Sequence, residues 1–488
     1  MRKQTKLVAV LSAAALLAIG ASMTSFAKGW EQEDGEWVYL DSEGDRTYDT
    51  WKKSGNYYYY LNEDGVMATD TVIEYDGNKY YVDATGKKVT NQWVSVENED
   101  NEEIGGYDDI DVIWYYFGST GKAYKDDVKT VSYAGGSAKF AFDENGYMLS
   151  GWQWLGDDSD ELYYFGTQDE GWAYTDWQYL EPKDDPSDAY DDEEWFYFKP
   201  STGKAYVGAR KYIKGQYYTF DSEGVMEDKW VKGTPGAPAS GASARYDADN
   251  GNQATGWVYT YGVNDADEEG DEYWFYLNSK GVPFNLNGAD AAVDENGDAV
   301  VLKVNKKDNE KWPEKESAYA AKVIKSKTYL FNAKGEMQTG VFKLDAGETI
   351  ARTGSSADLG SKEVATVYYF DKTSGSGQGA MVTGKTTVTY DGDVYAFYFQ
   401  KDGQAYTNYI ADGTYYDANG ERVEAEDGNT YDLVEVWDVQ VKGDADAEVT
   451  GTIIVNSNGK VKKSGTVKVD GYKYTVENYT VTDIEAID

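Results

Sequence analysis

The chain has no cysteine and no histidine, and only 7 prolines in 488 residues. Without thiol or imidazole, thiolate metal sites, redox thiols, HExxH zinc centres and His-activated serine or cysteine nucleophiles each lose an essential group. Composition leaves open carboxylate-pair chemistry, a lysine-activated serine, or no catalysis. Positive charge is scarce as well: 46 Lys and Arg stand against 87 Asp and Glu, a formal net charge of −41. That balance argues against nucleic acid and anionic membranes as partners, because both are bound through basic patches. Long apolar runs are equally rare. The run from Leu7 to Gly20 follows Arg2, Lys3 and Lys6 and precedes Ser25-Phe26-Ala27, the pattern of a secretory signal over residues 1–27. It is shorter than the ~20 residues that span a bilayer. The sequence therefore predicts a secreted, extracellular protein with no membrane span after signal cleavage, which diffuses away or holds its surface noncovalently.

Aromatics are what the chain has in excess, 15% of residues, with 45 tyrosines. The stretch Tyr57-Tyr58-Tyr59-Tyr60-Leu61-Asn62-Glu63-Asp64-Gly65-Val66-Met67 is the organising pattern: an aromatic run, a polar turn ending in glycine, and an apolar restart. It reads as a β-hairpin, since aromatic runs bounded by Asn, Asp and Gly suit a half-buried strand and glycine supplies the left-handed turn residue. The same spacing recurs at Leu40/Gly44, Val82/Gly86, Phe117/Gly121, Phe142/Gly146, Phe220/Gly224, Leu277/Gly281, Phe331/Gly335, Phe399/Gly403, Tyr416/Gly420 and Val455/Gly459, and more weakly at Val293/Gly297. Longer turns lead from Phe165 to Gly171, Phe198 to Gly203 and Phe370 to Gly379. The tightest glycine spacings, 44 to 65, 65 to 86 and 203 to 224, are all 21 residues, the period of a repeat array. A lone hairpin is marginal, so the units gain stability by stacking, and the expected fold is an all-β array of stacked hairpins.

The segment after each glycine repeats too, as in Val66-Met67, Tyr147-Met148, Val225-Met226 and Glu336-Met337, and often runs on to Thr/Ser-Gly-Trp or a bare Trp. With Gly29-Trp30 to Trp37-Val38-Tyr39-Leu40, Trp114-Tyr115-Tyr116-Phe117, and Thr255-Gly256-Trp257 to Trp274-Phe275-Tyr276-Leu277, the chain resembles the choline-binding or cell-wall-binding repeats of secreted Gram-positive proteins. The glucan-binding and clostridial toxin repeats are similar. The resemblance covers roughly residues 29 to 475. It implies a left-handed β-solenoid whose aromatic grooves bind a bacterial cell-wall polymer, choline-teichoic acid or a glycan, with no cofactor and no metal.

The resemblance assigns the ligand-binding role to the tryptophan upstream of a unit and the tryptophan opening its strand: Trp30 with Trp37, Trp93 with Trp114, Trp177 with Trp195, and Trp257 with Trp274. A tyrosine from the following unit, such as Tyr58 beside Trp51, is expected to complete each cage. Trp30 and Trp37, with a compact spacer, are the first choice. The alternative is that these aromatics only form the seam between hairpins. Thirteen of the 15 tryptophans precede residue 275, which places any tryptophan cages in the first half.

Acidic inserts recur between upstream tryptophan and strand, at Glu97 to Asp111, Asp157 to Glu161, Pro182 to Glu194 and Val263 to Glu272. They read as solvated loops. The spacing from Asp265 approaches a calcium-binding EF-hand but puts Tyr276 where the twelfth-position glutamate belongs. The expected organisation is the signal at 1–27, a Trp-rich wall-binding array at 28–232, a low-complexity linker or inserted loop at 233–244, a Tyr/Phe-rich array at 245–425, and degenerate terminal repeats or a cap at 426–488. No stretch outside the repeats is long enough for a catalytic domain. The sequence thus predicts a noncatalytic wall-binding repeat protein, with two alternatives: a structural or adhesive scaffold whose acidic loops hold cations or a partner, and an exopolysaccharide (glucan) binder.

Overall fold

The computed structural model describes residues 29–108, 110–133, 136–156, 160–183, 193–232, 243–263, 270–284, 301–302, 317–332, 334–350, 352–355, 357–361, 363–390 and 392–487. The expected signal at 1–27, most of 233–244, the weak Val293/Gly297 copy, Trp312 and Asp265 lie outside them. The described residues are all-β, with no helix among them. The chain divides into two compact units, Met1–Glu227 and Asp228–Asp488.

The first unit is a succession of two-stranded antiparallel hairpins. Trp30–Glu33 pairs with Glu36–Tyr39, Thr50–Ser54 with Tyr57–Leu61, Thr71–Tyr75 with Asn78–Val82, and Gln92–Glu97 with Val112–Phe117. Asp127–Tyr133 then pairs with Gly136–Phe142, Trp152–Leu155 with Glu161–Tyr164, Asp176–Leu180 with Glu194–Phe198, and Ala209–Ile213 with Gln216–Phe220.

The hairpin is not the one that the glycine spacing suggests. Tyr57–Leu61 pairs backward with Thr50–Ser54, and the segment beyond Gly65 meets it through a single bridge, Leu61 to Met67. The reason lies in Asn62. Its side-chain oxygen accepts the N–H groups of Asp64 and Val66, while its carbonyl accepts that of Gly65, which tightens the chain into a local turn rather than a second ladder. Several compact hairpins close in two-residue loops with both residues at positive φ, such as Asp34-Gly35 (53° and 92°) and Asp76-Gly77 (52° and 69°), while in Gly55-Asn56 only the glycine is there (58°). Such loops twist in the same sense as the strands they join.

The turn glycine has a second duty. Gly86 sits at φ 77°, and a Cβ there would lie 2.8 Å from the Met67 sulfur of the preceding unit. The turns at Gly121, Gly171, Gly379 and Gly403 likewise pack on the side chain two residues past the previous turn glycine: Lys88, Met148, Met337 and Met381. The last strand residues, Leu61, Val82, Phe117, Phe142, Phe198 and Phe220, and Phe165 just past the end of its strand, are all buried and form the core between successive hairpins.

The second unit begins with the same device. Trp230–Lys232 pairs with Ser243–Arg245, and Gly256–Tyr261 pairs with Glu272–Leu277. Broader sheets follow. Ser317–Ile324 and Lys327–Asn332 belong to a five-stranded sheet, and Tyr431–Val441 and Asp444–Asn456 to a four-stranded one in which Tyr409–Ala411 runs parallel to the first of them. A three-stranded sheet, Gly465–Val469, Tyr472–Glu477 and Thr480–Ala486, ends the described chain.

One acidic insert departs from the expected solvated loop. Between Glu97 and Asp111 the side chains of Ile104 and Ile110 are buried in one core cluster with Val94, Tyr115 and Phe117. Asn98, also buried, donates to the carbonyls of Glu102 and Ile110 and accepts the N–H of Glu102. The acidic residues face out while two isoleucines anchor the loop, so charge density alone misjudged it.

Candidate aromatic cages

Strand register builds the candidate site. In the Trp177 hairpin, Trp177 lies opposite Tyr197 and Tyr179 opposite Trp195. Side chains two apart share a face of a strand, so Trp177 and Trp195 become diagonal neighbours on one face. The same register puts Trp93 beside Trp114 and Trp257 beside Trp274. The ring centroids lie 6.4 Å apart at 79° for Trp93 and Trp114, 6.3 Å at 84° for Trp177 and Trp195, and 6.3 Å at 83° for Trp257 and Trp274. Two perpendicular walls thus repeat with nearly fixed geometry, although acidic inserts of different length separate the partners in sequence.

The third wall comes from the next hairpin, whose opposite face meets the upstream tryptophan. Trp93 packs on Phe140 at 4.7 Å, Trp177 on Tyr218 at 4.8 Å and Trp257 on Tyr329 at 4.8 Å. The second hairpin follows the same plan with Trp51 against Tyr80 at 5.3 Å, and the first with Trp30 against Tyr59 at 5.5 Å. The expectation that Tyr58 comes from the unit after Trp51 is therefore corrected. Tyr58 lies in the hairpin of Trp51 and takes the position of the strand tryptophan, while Tyr80 is the wall from the following unit. The hairpin begins one strand earlier than the aromatic run suggests, at Thr50.

The fourth position is the residue two past the turn glycine. Its N–H donates to the backbone carbonyl of the preceding hairpin's strand aromatic: Met67 to Trp37 (2.7 Å), Lys88 to Tyr58 (2.8 Å), Met148 to Trp114 (2.9 Å) and Met226 to Trp195 (2.8 Å). In each case, and at Met337, the third wall lies eight residues earlier: Tyr59, Tyr80, Phe140, Tyr218 and Tyr329. This offset is readable in the sequence once the strand pairing is known. The sequence reading singled out neither the methionines nor these walls as site residues.

The cages differ in openness. Trp195 is 44% exposed and Tyr58 41%, and Trp37, Trp51, Trp93, Trp114, Trp177, Trp257 and Trp274 are partly exposed, whereas Trp30 is 8% exposed and sits among Tyr59, Leu61 and Tyr39. Hydrogen bonds also fix the upstream ring: the Trp93 indole N–H donates to the Ser132 carbonyl in the next hairpin (3.1 Å). A cleft at this cage is lined by Trp93, Trp114, Phe140 and Met148 with Asp169 and Glu170 at its edge. Aromatic faces and nearby carboxylates together suit a cation. No group of acidic side chains able to hold a metal ion occurs among the described residues.

Comparison with known proteins is consistent with this repeat. A family model described as the choline-binding repeat matches residues 47–93, the two hairpins that contain Trp51, Tyr58 and Tyr80. No curated protein matches the chain. Among solved structures, the modular autolysin LytC from Streptococcus pneumoniae is 19% identical, with 65% of this chain and 54% of that chain covered and a TM-score of 0.33. This chain thus spans about half the length of the autolysin. Choline binding protein F from Streptococcus pneumoniae is 18% identical, with 82% and 99% covered and a TM-score of 0.24. The match to the choline-binding repeat is thus made over residues 47–93, and two-stranded hairpins flank that segment on both sides.

Proposed function

We propose that this is an exported, noncatalytic protein that attaches to choline-bearing teichoic acid, or a related wall polymer, through its aromatic cages. The observation that carries this reading is the constancy of the paired tryptophans: three pairs keep centroid distances of 6.3 to 6.4 Å and nearly perpendicular planes. A pure packing seam has no need to hold a partly exposed ring at a fixed angle. Each ring face offers a quaternary ammonium roughly 0.5 to 2 kcal/mol, depending on how far the cation is desolvated. Three faces and a thioether give one weak site. A polymer carrying many such groups engages several cages at once, and the second contact is then made at high effective concentration. Two-stranded hairpins follow one another through the described residues from Trp30 to Leu277, which supports a binding role for that part of the chain.

The test is retention of the full chain on choline-bearing cell walls. Release by free choline, with no release by a metal chelator, is the expected result. Retention that choline does not compete, together with binding to α-glucan, would replace this reading with the exopolysaccharide one.

A further inference from the structure

The cage within the family-matched segment 47–93 is already filled. Its fourth position holds Lys88 where other cages hold Met67, Met148, Met226 or Met337. The Lys88 ammonium stands over three rings at once, 5.2 Å from the Trp51 centroid, 4.7 Å from Tyr58 and 5.5 Å from Tyr80. These are the three walls of the cage, and all lie within the ~6 Å reach of a cation–π contact. The ammonium also donates to the Thr120 carbonyl at 3.1 Å. Its stem runs past the next turn, where Gly121 leaves room: a Cβ there would lie 3.0 Å from the lysine Cδ.

We infer that Lys88 is a built-in ligand that closes the Trp51 cage to external quaternary ammonium, leaving binding to the cages whose fourth position is methionine. The inference rests on the proposed choline binding for its consequence, though not for its geometry. A tethered ammonium competes at an effective concentration that a free monovalent ligand must exceed before it enters. Burial lowers the Lys88 pKa from its ordinary value, yet nothing with a negative charge is needed to hold it, since the rings and one carbonyl take that part. Lys87, one residue earlier, lies over Tyr57 at 4.7 Å, on the other face of the strand, and serves as a charge-matched control.

Two measurements on the full chain test this. In NMR spectra of lysine-labelled wild-type protein without ligand, ring currents from three aromatic faces shift the Lys88 Cε protons upfield of the other lysines. A Lys88 signal at the ordinary lysine position would overturn the plugged cage whether or not the protein binds choline. In calorimetric titration with choline chloride, Lys88→Met gains one site per chain relative to wild type, while Lys87→Met does not. An unchanged stoichiometry in a folded Lys88→Met protein, with wild type binding choline normally, would overturn the inference. Absence of choline binding in wild type with the upfield signal present would instead overturn the proposed function and leave the internal plug standing.

Discussion

Trp177 and Trp195 stand at 84° with their ring centroids 6.3 Å apart, although 17 residues separate them in the chain. Strand register fixes this relation, not the loop between them, since Trp177 pairs with Tyr197 and Trp195 with Tyr179. The same two walls around Trp257 and Trp274 keep 6.3 Å across a different insert.

The two tryptophans of one pair should respond differently to truncation. Trp195 is half-exposed, so Trp195→Ala removes one ring face from the ligand, about 0.5 to 2 kcal/mol, while leaving the array folded. Trp177 also packs on Tyr197, Tyr218 and Phe220, so Trp177→Ala should cost about 3 to 5 kcal/mol of stability. Choline affinity and denaturant unfolding, measured on both variants, separate the two effects.

The Glu97 to Asp111 insert should prove structural. Ile104→Ala removes a buried side chain from the cluster around Val94 and Phe117, with an expected loss of about 2 to 5 kcal/mol. Denaturant unfolding of this variant checks it, and a midpoint equal to that of wild type would mean that the loop does not anchor there.

Much of the fold was legible because its signals are local. The turn glycines, the strand ends such as Leu61 and Phe117, and the tryptophan pairs all follow from short patterns. The strand pairing was missed because glycine turns flank the Tyr57 to Leu61 run on both sides, at Gly55 and Gly65, and the Asn62-to-Gly65 turn looked like a hairpin loop. The Asp34-Gly35 and Asp76-Gly77 dipeptides carry the signal that distinguishes them, since a two-residue loop with both φ positive continues a twisted ladder. The Lys88 plug was hidden for a different reason: its partners Trp51, Tyr58 and Tyr80 come from two hairpins, and only stacking brings them together.

Gly86→Ala should weaken the junction between two units. It forces a left-handed φ on alanine and drives a methyl group toward the Met67 sulfur, an overpacking cost of about 1 to 3 kcal/mol. The loss should appear as a lowered thermal midpoint of the full chain.

Stability should fail in alkali rather than near neutrality. Burial pushes the Tyr115 phenol up to about 12 from its usual 10.0, and raises Tyr81, Tyr163 and Tyr174 as well. A raised folded-state pKa means that the folded chain holds these protons more tightly. The stabilisation is complete below the unfolded value near 10 and is lost as pH climbs through that value toward 12. With no histidine to titrate, ligand binding should stay nearly flat between about pH 6 and 8. Tyrosinate absorbance followed together with circular dichroism should show these phenols ionising as the strands unfold.

The central claim, that paired rings form the ligand site, is tested most directly by calorimetric titration of the full chain with choline, comparing wild type with a variant in which Trp37, Trp114, Trp195 and Trp274 are all alanine. Each cage of the variant loses one ring face, so the expected result is a choline affinity lowered roughly 2- to 30-fold, about 0.5 to 2 kcal/mol, with circular dichroism of the array retained. Equal choline binding by both proteins would contradict it.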